Sequence, residues 1–406
     1  MTADKLVLTT YSGVNAAFLL QDSKLLQMQV DCPQDYQIGD IFIGKVKNIV
    51  PSIRAAFVQF AAGQIGFLPL SDCKERSILH HRDGRPLSCE DEIVVQIKKE
   101  PVKTKEATLT TDISFQSEHF VLMPYSCGIH FSRKLDGMQK QKLTEQLTEI
   151  IAQFFGEYDI FSSQYGLIVR TNAVFAPFQQ LSMQLHDLFH QAGEVLKCAD
   201  KRTVFSKLYE QESFYEHVLS NTYHISELLI ITDQKDVFAK LEESGYTNIR
   251  FYQDDRIDLL HLYGLHAQIA ESASKKVWLK SGGYLIIEPT EAMTVIDVNS
   301  GKAIRRKETE SFILQINLEA AGEIARQLRL RNISGMILVD FINMKETENK
   351  ILLMERLRAY FAEDPIETVL VDMTKLGLIE ITRRKTTAPL ADKLSALAVQ
   401  PAETHK

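Results

Sequence analysis

Two aspartates near the ends of apolar segments are the residues best suited to chemistry in this sequence. Asp297 lies near the end of segment 292–298, and Asp340 lies near the end of segment 335–341. A predicted helix separates the two segments, as a crossover between neighbouring parallel strands requires. Ligands of such sheets gather at the carboxyl ends of the strands. The spacing therefore predicts that the two carboxylates converge.

Two converging carboxylates would bind a divalent cation. An aspartate inside an apolar strand is costly unless its charge is paired, and one cation would compensate both. Mg²⁺ takes one or two protein carboxylates, keeps several waters and binds phosphate with its remaining positions, and Mn²⁺ stays open as the alternative ion. Such an ion could activate a water beside a scissile phosphate. Asn299 follows Asp297 on the same strand face, where it could orient a carboxylate or a phosphate oxygen.

A purely structural role would explain the same aspartates without a metal. Asp297 would cap a turn and Asp340 would cap the next helix, as strand-end aspartates often do. The basic residues nearby could hold a phosphate backbone, but arginines late in a helix also suit its macrodipole. These basic residues are Lys302, Arg305, Arg306, Lys307, Arg326, Arg329 and Arg331.

The sequence pattern of the C-terminal third predicts the strands and helices that position the two aspartates. Its strands and helices alternate, which predicts an α/β unit whose sheet is buried by helices. Strands are expected over 283–288, 292–298, 335–341 and 367–372, and helices over 309–331 and 347–361.

The first 118 residues predict strands only. Residues 1–35 contain too few strands to bury a core alone, so we expect them to join a unit formed later in the chain. Residues 39–118 predict a small antiparallel barrel, because short strands and tight turns follow one another.

One barrel strand places an aromatic side chain on its polar face. Phe57 shares this face with Gln59, which suggests a stacking platform for bases, although aromatics in barrel strands are more often core. Phe67 would be its partner on the next strand. Lys103 or Lys105 could hold backbone phosphates.

The composition is that of a globular protein without an overall basic surface. Its 406 residues predict two to four packing units. The net charge is −7, so any nucleic-acid binding must come from local patches. The five cysteines form no C-x-x-C pair, which favours a reducing compartment. Because neither a signal peptide nor a membrane span is evident, we expect a cytoplasmic protein without a membrane partner.

The C-terminal third also contains a series of specific motifs. They are Gly282-Gly283-Tyr284, Thr290-Glu291-Ala292, Ile296-Asp297-Val298-Asn299-Ser300, Val339-Asp340-Phe341-Ile342 and Leu376-Gly377-Leu378-Ile379-Glu380, with a long helical run over 317–331. Together they resemble the catalytic core of the ribonuclease E/G family. The resemblance extends upstream through 166–171, 66–70 and 55–58, so it covers nearly the whole chain in the family's order.

The resemblance implies an α/β multidomain fold. A split RNase H-like domain (1–35 and 215–278) would contain an inserted OB-type RNA-binding barrel (36–118) and a 5′-sensor region (119–214). A DNase I-like α/β catalytic domain (279–386) and a C-terminal tail (387–406) would follow.

The resemblance also implies roles for the candidate residues. Asp297 and Asp340 would hold the catalytic Mg²⁺, with Asn299 assisting. Phe57 and Phe67 would bind single-stranded RNA, and Lys105 would contact its backbone.

In the sensor region, Arg170 and Thr171 match family residues that take up a 5′-monophosphate. The chemistry suits them, because a guanidinium binds phosphate in a fork and a hydroxyl adds one donor. Gly128, followed by Ile129, is expected in the same pocket.

The sequence departs from the family's pattern in two places. No cysteine follows Cys198, where bacterial members carry a C-x-x-C zinc link that joins subunits. We therefore expect a compact, ribonuclease G-like member without a zinc-linked dimer, and a homo-oligomer stays open. Asn343 occupies a position that is usually acidic, but with Asp340 retained we expect metal binding to persist.

The leading hypothesis is a Mg²⁺-dependent endoribonuclease that cuts single-stranded RNA in rRNA and mRNA processing and favours 5′-monophosphorylated substrates. Two alternatives remain open. One is a non-catalytic RNA-binding protein that chaperones RNA, and the other is a nuclease that trims RNA from its 5′ end with the same metal site.

Overall fold

The computed structural model describes residues 3–31, 36–74, 77–79, 86–101, 106–153, 165–210, 214–222, 225–301 and 310–399. The chain forms two compact units. We call Met1–Pro33 with Ser226–Lys406 the split unit, and Gln34–Ile225 the inserted unit.

Strands and helices follow one another along the whole described chain. The strands are β1 (Lys5–Tyr11), β2 (Val14–Gln21), β3 (Lys24–Val30), β4 (Ile41–Val50), β5 (Ala55–Ala61), β6 (Gln64–Pro69), β7 (Glu92–Lys99), β8 (Ala107–Thr110), β9 (Phe115–Gln116), β10 (Phe120–Met123), β11 (Gly128–Phe131), β12 (Gly166–Val169), β13 (Lys207–Tyr209), β14 (Leu229–Thr232), β15 (Ile249–Phe251), β16 (Lys276–Trp278), β17 (Tyr284–Pro289), β18 (Met293–Asn299), β19 (Gly335–Asp340), β20 (Thr368–Met373) and β21 (Ile379–Arg383). The helices are α1 (Gly137–Gln153), α2 (Phe178–Ala199), α3 (Phe214–Ser220), α4 (Lys235–Glu243), α5 (Leu259–Leu262), α6 (Leu265–Ser272), α7 (Glu310–Leu330), α8 (Thr347–Ala362) and α9 (Leu390–Val399). Among the described helices, none has the length and apolar character needed to cross a membrane.

The N-terminal strands of the split unit complete a sheet formed later in the chain. Its order is β15-β14-β1-β2-β3, and β1 pairs in parallel with β14. The prediction that residues 1–35 join a later unit is therefore confirmed. Ser12 and Gly13 both have positive φ, as the tight type I′ hairpin turn between β1 and β2 requires.

The second sheet of the split unit contains both candidate aspartates. Its order is β16-β17-β18-β19-β21-β20. β18 and β19 are parallel and are joined through α7, whereas the other neighbours are antiparallel. The predicted alternation of strands and helices in this region is confirmed.

Helices α7 and α8 cover one face of this second sheet. Ile324 and Leu328 of α7 and Leu357 of α8 share a core with Ile296 and Val339 of the sheet. The opposite face carries half-exposed and exposed side chains along β18 and β19. The prediction of a sheet buried by helices is therefore wrong for this face.

The inserted unit begins with a closed barrel. The ring β4-β5-β6-β8-β7 closes because β4 pairs with β7, and β13 is added outside it. Gly66 allows this close packing, since a Cβ there would lie 2.5 Å from the Leu109 side chain. A mixed α/β fold with a closed five-stranded, OB-like barrel is thus confirmed.

The rest of the inserted unit is a four-stranded sheet packed against two long helices. The sheet order is β11-β12-β10-β9. Leu147 of α1 and Leu185 and Leu188 of α2 are buried with Phe120 and Val169 of the sheet.

Several elements of the fold were not predicted, including three in the split unit. Strands β16 and β21 complete the second sheet of the split unit. Helix α9 lies within the predicted C-terminal tail, and its Leu390 and Leu397 pack in the same core as Phe18. This part of the tail is therefore an ordered element of the split unit.

Candidate active site

Asp297 and Asp340 lie side by side on neighbouring strands. The parallel pairing of β18 with β19 makes Asp297 the register partner of Asp340. Neighbouring strands lie about 4.8 Å apart, and side chains at paired positions project from the same face of the sheet. The structure thus brings together the two carboxylates singled out in the sequence.

Asn299 completes this acidic pair. Its Nδ2 donates a hydrogen bond of 2.6 Å to Oδ2 of Asp297. A carboxylate can accept several hydrogen bonds or metal contacts, so the amide orients one oxygen of Asp297 while leaving acceptor positions open.

The two carboxylates are exposed, not buried. Along β18, Ile296 and Val298 are buried against the helix side, whereas Val295 and Asp297 face the open side. Asp340 is also exposed, and among the described residues its carboxylate makes no hydrogen bond or ion pair. The expectation that burial makes these charges costly is therefore wrong, because only one face of the sheet is covered.

The capping alternative does not explain the aspartates. Helix α8 begins at Thr347 with Glu346 as its N-cap, so Asp340 at the end of β19 does not cap it. Asp297 lies inside β18, and its described hydrogen bond comes from the side chain of Asn299, not from a turn amide.

A buried asparagine positions the chain immediately after Asp340. Asn317 of α7 is fully buried. Its Nδ2 donates to the carbonyl of Ile342 at 2.7 Å, and its Oδ1 accepts from the Ile342 amide at 3.1 Å. One side chain therefore satisfies both backbone groups just beyond the candidate site, a role that the sequence analysis did not identify.

Glu310, at the start of described helix α7, binds the next part of the same loop. Its Oε1 accepts hydrogen bonds from the amides of Lys345 and Glu346 at 2.8 and 3.0 Å. These bonds, chiefly the one from Glu346, lower the pKa of the Glu310 carboxyl below its ordinary value.

Glycines allow the start of β17 to approach the end of β18. A Cβ at Gly283 would lie 2.8 Å from the carbonyl oxygen of Asn299. Gly301 has φ +57°, and a Cβ there would lie 2.5 Å from the Gly282 carbonyl oxygen. Close backbone packing beside the acidic pair therefore explains why glycine occupies positions 283 and 301.

The arginines near the end of α7 and directly after it are engaged inside the split unit. Arg326 donates to the carbonyl of Leu25 at 2.6 Å, and Arg329 donates to Gln27 at 3.0 Å. Burial lowers the pKa of Arg331 to about 10. The suggestion that these three hold a phosphate backbone is therefore not supported. Lys302, Arg305, Arg306 and Lys307 lie outside the described residues.

The donor set of the acidic pair suits a hard divalent cation. Asp297 and Asp340 offer carboxylate oxygens from one sheet face, and Asn299 adds an amide oxygen nearby. Mg²⁺ accepts such oxygen ligands and keeps waters in its other positions. The open face is compatible with that requirement, because water and a substrate phosphate could reach an ion bound there.

A second, separate group of possible metal ligands lies in the split unit. Asp258, His261 and His266 are exposed, and their ligand atoms lie within 4.8 Å of one another. Asp258 Oδ1 contacts His261 Nδ1 at 2.8 Å and also caps helix α5. Any metal-binding measurement must therefore distinguish this group from the acidic pair.

Phe57 and Phe67 form an aromatic pair on the outer face of the barrel. They are register partners on β5 and β6, and their ring centroids lie 6.0 Å apart. Both are half-exposed, whereas the adjacent Val58 and Leu68 are buried. The structure thus separates this pair from the barrel core.

A basic residue lies in the same row of the barrel. Phe67 pairs with Thr108, and Thr108 pairs with Lys99, which is exposed. Lys105, the predicted phosphate contact, and Lys103 lie outside the described residues. The row could not be found from sequence, because β8 was not predicted.

Arg170 and Thr171 lie together after β12. Arg170 donates from Nη1 to the Ser220 carbonyl at 3.1 Å and from Nη2 to Gln116 Oε1 at 2.7 Å. Thr171 donates to the Ser132 hydroxyl at 3.0 Å. The guanidinium is therefore held in place by neighbours within the inserted unit.

Gly128 is not brought to Arg170. It pairs with Gly166 at the start of the β11–β12 ladder, whereas Arg170 follows the last pair, Phe131 with Val169. At about 3.3 Å per residue, the two positions lie about 13 Å apart along the strand direction. The register therefore does not support the placement of Gly128, with Ile129, in the Arg170 pocket, and this placement stays a prediction. Gly128 has φ +86°, a backbone conformation that favours glycine, and this explains why a glycine occupies the position.

The fold and site define a mixed α/β protein with a closed barrel and an acidic pair at two strand ends. Residues 114–386 match the Ribonuclease E/G family. The chain belongs to this family, and the resemblance noted in its motifs is confirmed.

Relatives match most of the chain. The chain is similar to Ribonuclease E of Nostoc sp. (33% identity over 362 residues), a match covering 86% of this chain and 51% of the relative. It is also 30% identical over 405 residues to Ribonuclease G of Escherichia coli K12, a match that covers 95% of this chain and 80% of the relative. A third match, to Ribonuclease G of Haemophilus influenzae, is 30% identical over 371 residues and covers 86% of this chain and 72% of the relative. The chain spans about half the length of the Nostoc and Synechocystis relatives.

We predict that Asn317→Ala lowers the free energy of unfolding by about 1–3 kcal/mol, because two backbone groups of Ile342 lose their partner. Urea denaturation measures the change. Gln315→Ala, an exposed amide on the same helix, is the control and should change stability by less than about 0.5 kcal/mol. Equal effects of the two variants would contradict the positioning role of Asn317.

Proposed function

We propose that this chain is an endoribonuclease that requires a divalent cation and cuts single-stranded RNA. The register pairing of Asp297 with Asp340 is the observation that carries the proposal. Membership of the ribonuclease E/G family supports it, as do relatives named Ribonuclease E and Ribonuclease G. Mg²⁺ is the proposed ion, with Mn²⁺ as the alternative.

Each residue of the site has a distinct proposed role. Asp297 and Asp340 would hold the cation, and Asn299 would keep the Asp297 carboxylate oriented through its hydrogen bond. When bound, the cation would supply Lewis acidity at a phosphate oxygen and a lowered pKa for a bound water. The open sheet face would give the RNA strand access to the two carboxylates.

The finer architecture belongs to the same proposal. We propose that β1–β3 with β14, β15 and their helices form a split RNase H-like domain, which the parallel β1–β14 pairing supports. The sheet β16–β21 with α7 and α8 would be the DNase I-like catalytic domain. The boundaries predicted in the sequence analysis stay predictions.

The barrel is the proposed binding surface for single-stranded RNA. The half-exposed rings of Phe57 and Phe67 would stack on bases, and exposed Lys99 in the same row would meet the backbone. Stacking contributes about 1–3 kcal/mol per base. A local row of this kind is compatible with the net charge of −7.

The inserted unit also contains the proposed 5′-end sensor. Arg170 and Thr171 lie adjacent, so a guanidinium and a hydroxyl could bind one phosphate together. This contact would give 5′-monophosphorylated RNA its advantage over other substrates.

The proposed setting is processing of rRNA and mRNA in the cytoplasm. The described cysteines Cys73, Cys89, Cys127 and Cys198 are free thiols, which supports a reducing compartment.

We predict that Asp297→Asn or Asp340→Asn lowers cleavage by about 10³-fold, roughly 4 kcal/mol of barrier, because an amide keeps the size but loses the negative charge. The measurement is cleavage of a fluorescent A/U-rich oligonucleotide with Mg²⁺ and with chelator. Asp258→Asn, which keeps its helix cap, is the matched control and should cut at the parental rate.

Three outcomes of this assay would count against the proposal. Cleavage by either variant at the parental rate would contradict the two-carboxylate site. Tight binding with no cleavage by the parent would favour an RNA-binding chaperone. Mononucleotide release from the 5′ end, in place of internal fragments, would favour a trimming nuclease.

For the sensor, we expect Arg170→Gln to remove the preference for a 5′-monophosphate over a 5′-hydroxyl, because the phosphate loses its fork of donors. Paired cleavage rates on the two substrates provide the measurement. Arg202→Gln replaces an exposed arginine of the same unit and should leave the preference intact. An unchanged preference in Arg170→Gln, or equal slowing of both substrates, would exclude Arg170 from this role.

A further inference from the structure

An exposed aromatic group lies at one edge of the second sheet of the split unit, which carries the acidic pair. Trp278, the only tryptophan of the chain, is 61% exposed on β16. Its ring centroid lies 5.3 Å from that of Tyr284 on β17. Nζ of Lys276 lies 4.0 Å from the Trp278 ring centroid and 3.7 Å from that of Tyr284. We call Trp278, Tyr284 and Lys276 the aromatic corner.

The register of the sheet places this corner in line with the acidic pair. Trp278 pairs with Tyr284, and Tyr284 pairs with Asn299. Two register positions further along, Lys276 pairs with Ile286, and Ile286 pairs with Asp297. Two strand spacings, about 10 Å, therefore separate the edge strand from the strand that carries Asp297.

The protein core does not account for the position of Trp278. Val277, between Lys276 and Trp278, packs against the core beneath the sheet. Because side chains alternate along a strand, Lys276 and Trp278 project from the open face. A large aromatic surface left in water forgoes the stabilisation that burial would give it, so a ligand that covers the ring would recover it.

The chemistry of the corner fits a nucleobase attached to a phosphate. A ring face binds any base by stacking, without sequence preference. Lys276 adds a positive charge on the sheet face that carries the two aspartates, and this charge would meet a backbone phosphate.

We propose that the aromatic corner is a stacking subsite for a nucleobase next to the phosphate that is cut. This inference rests on the proposed function, because it takes the strand at Asp297 and Asp340 to be RNA. It assigns Trp278 the stacking surface, Tyr284 the support of that ring, and Lys276 the contact with the backbone.

A second copy of this chain is the competing occupant. The same sheet face exposes Met336 and Val369, by 53% and 47%. The positive charge of Lys276 and the alignment of the aromatic corner with the acidic pair favour RNA as the occupant. A dimer formed through this face would be detected by light scattering.

The single tryptophan allows stacking to be observed directly. The full chain, with chelator present, is titrated with a short oligoribonucleotide and with an abasic strand of the same length. A stacked base should quench Trp278 fluorescence to saturation, whereas the abasic strand should not. Equal quenching by both strands, or no quenching at concentrations where the RNA is bound, would overturn the proposal.

Variants then test the contribution to affinity. Trp278→Ala should raise the Kd for a labelled oligonucleotide about tenfold, which corresponds to about 1.4 kcal/mol. Trp278→Phe keeps an aromatic face and should restore most of the affinity. Val369→Ala, on the opposite edge strand β20, is the matched control and should leave the Kd unchanged. Val369→Ala should also cut saturating RNA at the parental rate.

The readouts separate the failure of this inference from failure of the proposed function. If the parent binds RNA with base-dependent quenching but never cuts, the subsite stands and the nuclease does not. If the parent cuts and Trp278→Ala binds RNA as the parent does, the subsite is wrong and the nuclease stands. If light scattering shows that Trp278→Ala loses a dimer while the Kd is unchanged, the occupant is a second copy and the proposal is overturned.

Discussion

The register between β18 and β19 is the constraint on which the candidate site depends. It places two carboxylates on neighbouring strands, and like charges opposite each other destabilise a sheet. At about 5 Å in water, two such charges repel by about 0.8 kcal/mol. Folding stability alone gives no reason for this pair. A divalent cation between the carboxylates would replace the repulsion with attraction, which is why we interpret the pair as a metal site.

Neighbouring contacts preserve this register. Asn317 binds both backbone groups of Ile342 just after Asp340, and Gly283 lets β17 approach the end of β18. Arg326 ties α7, the helix between the two strands, to the carbonyl of Leu25. The charged end of α7 therefore serves the fold, and the open face of the sheet is left for the ligand.

The sequence predicted four of the six strands in the second sheet of the split unit and both helices that cover it, because their apolar periodicity is strong. The helix expected over 309–331 is described as α7, Glu310–Leu330, and the strand expected over 335–341 is β19, Gly335–Asp340. The convergence of Asp297 and Asp340 followed from the same pattern. Their exposure did not, because periodicity does not reveal that both helices pack on one face.

Other features depend on contacts that no local pattern encodes. The short strand β16 (Lys276–Trp278) exists through its pairing with β17, so the exposed position of Trp278 could not be predicted. The row that joins Phe67 to Lys99 requires β8, which has few residues and no distinctive pattern. The expectation for Gly128 came from the resemblance, which does not fix which end of a ladder a residue occupies.

The most direct test of the central claim is the position of a bound cation. Crystals grown with Mn²⁺ can be measured at an energy where the ion scatters anomalously, which locates it without assumptions about the protein. A peak is expected between the carboxylates of Asp297 and Asp340, and it should disappear in Asp340→Asn. A peak only at Asp258, His261 and His266, or none at the acidic pair, would show that the two carboxylates do not form a metal site.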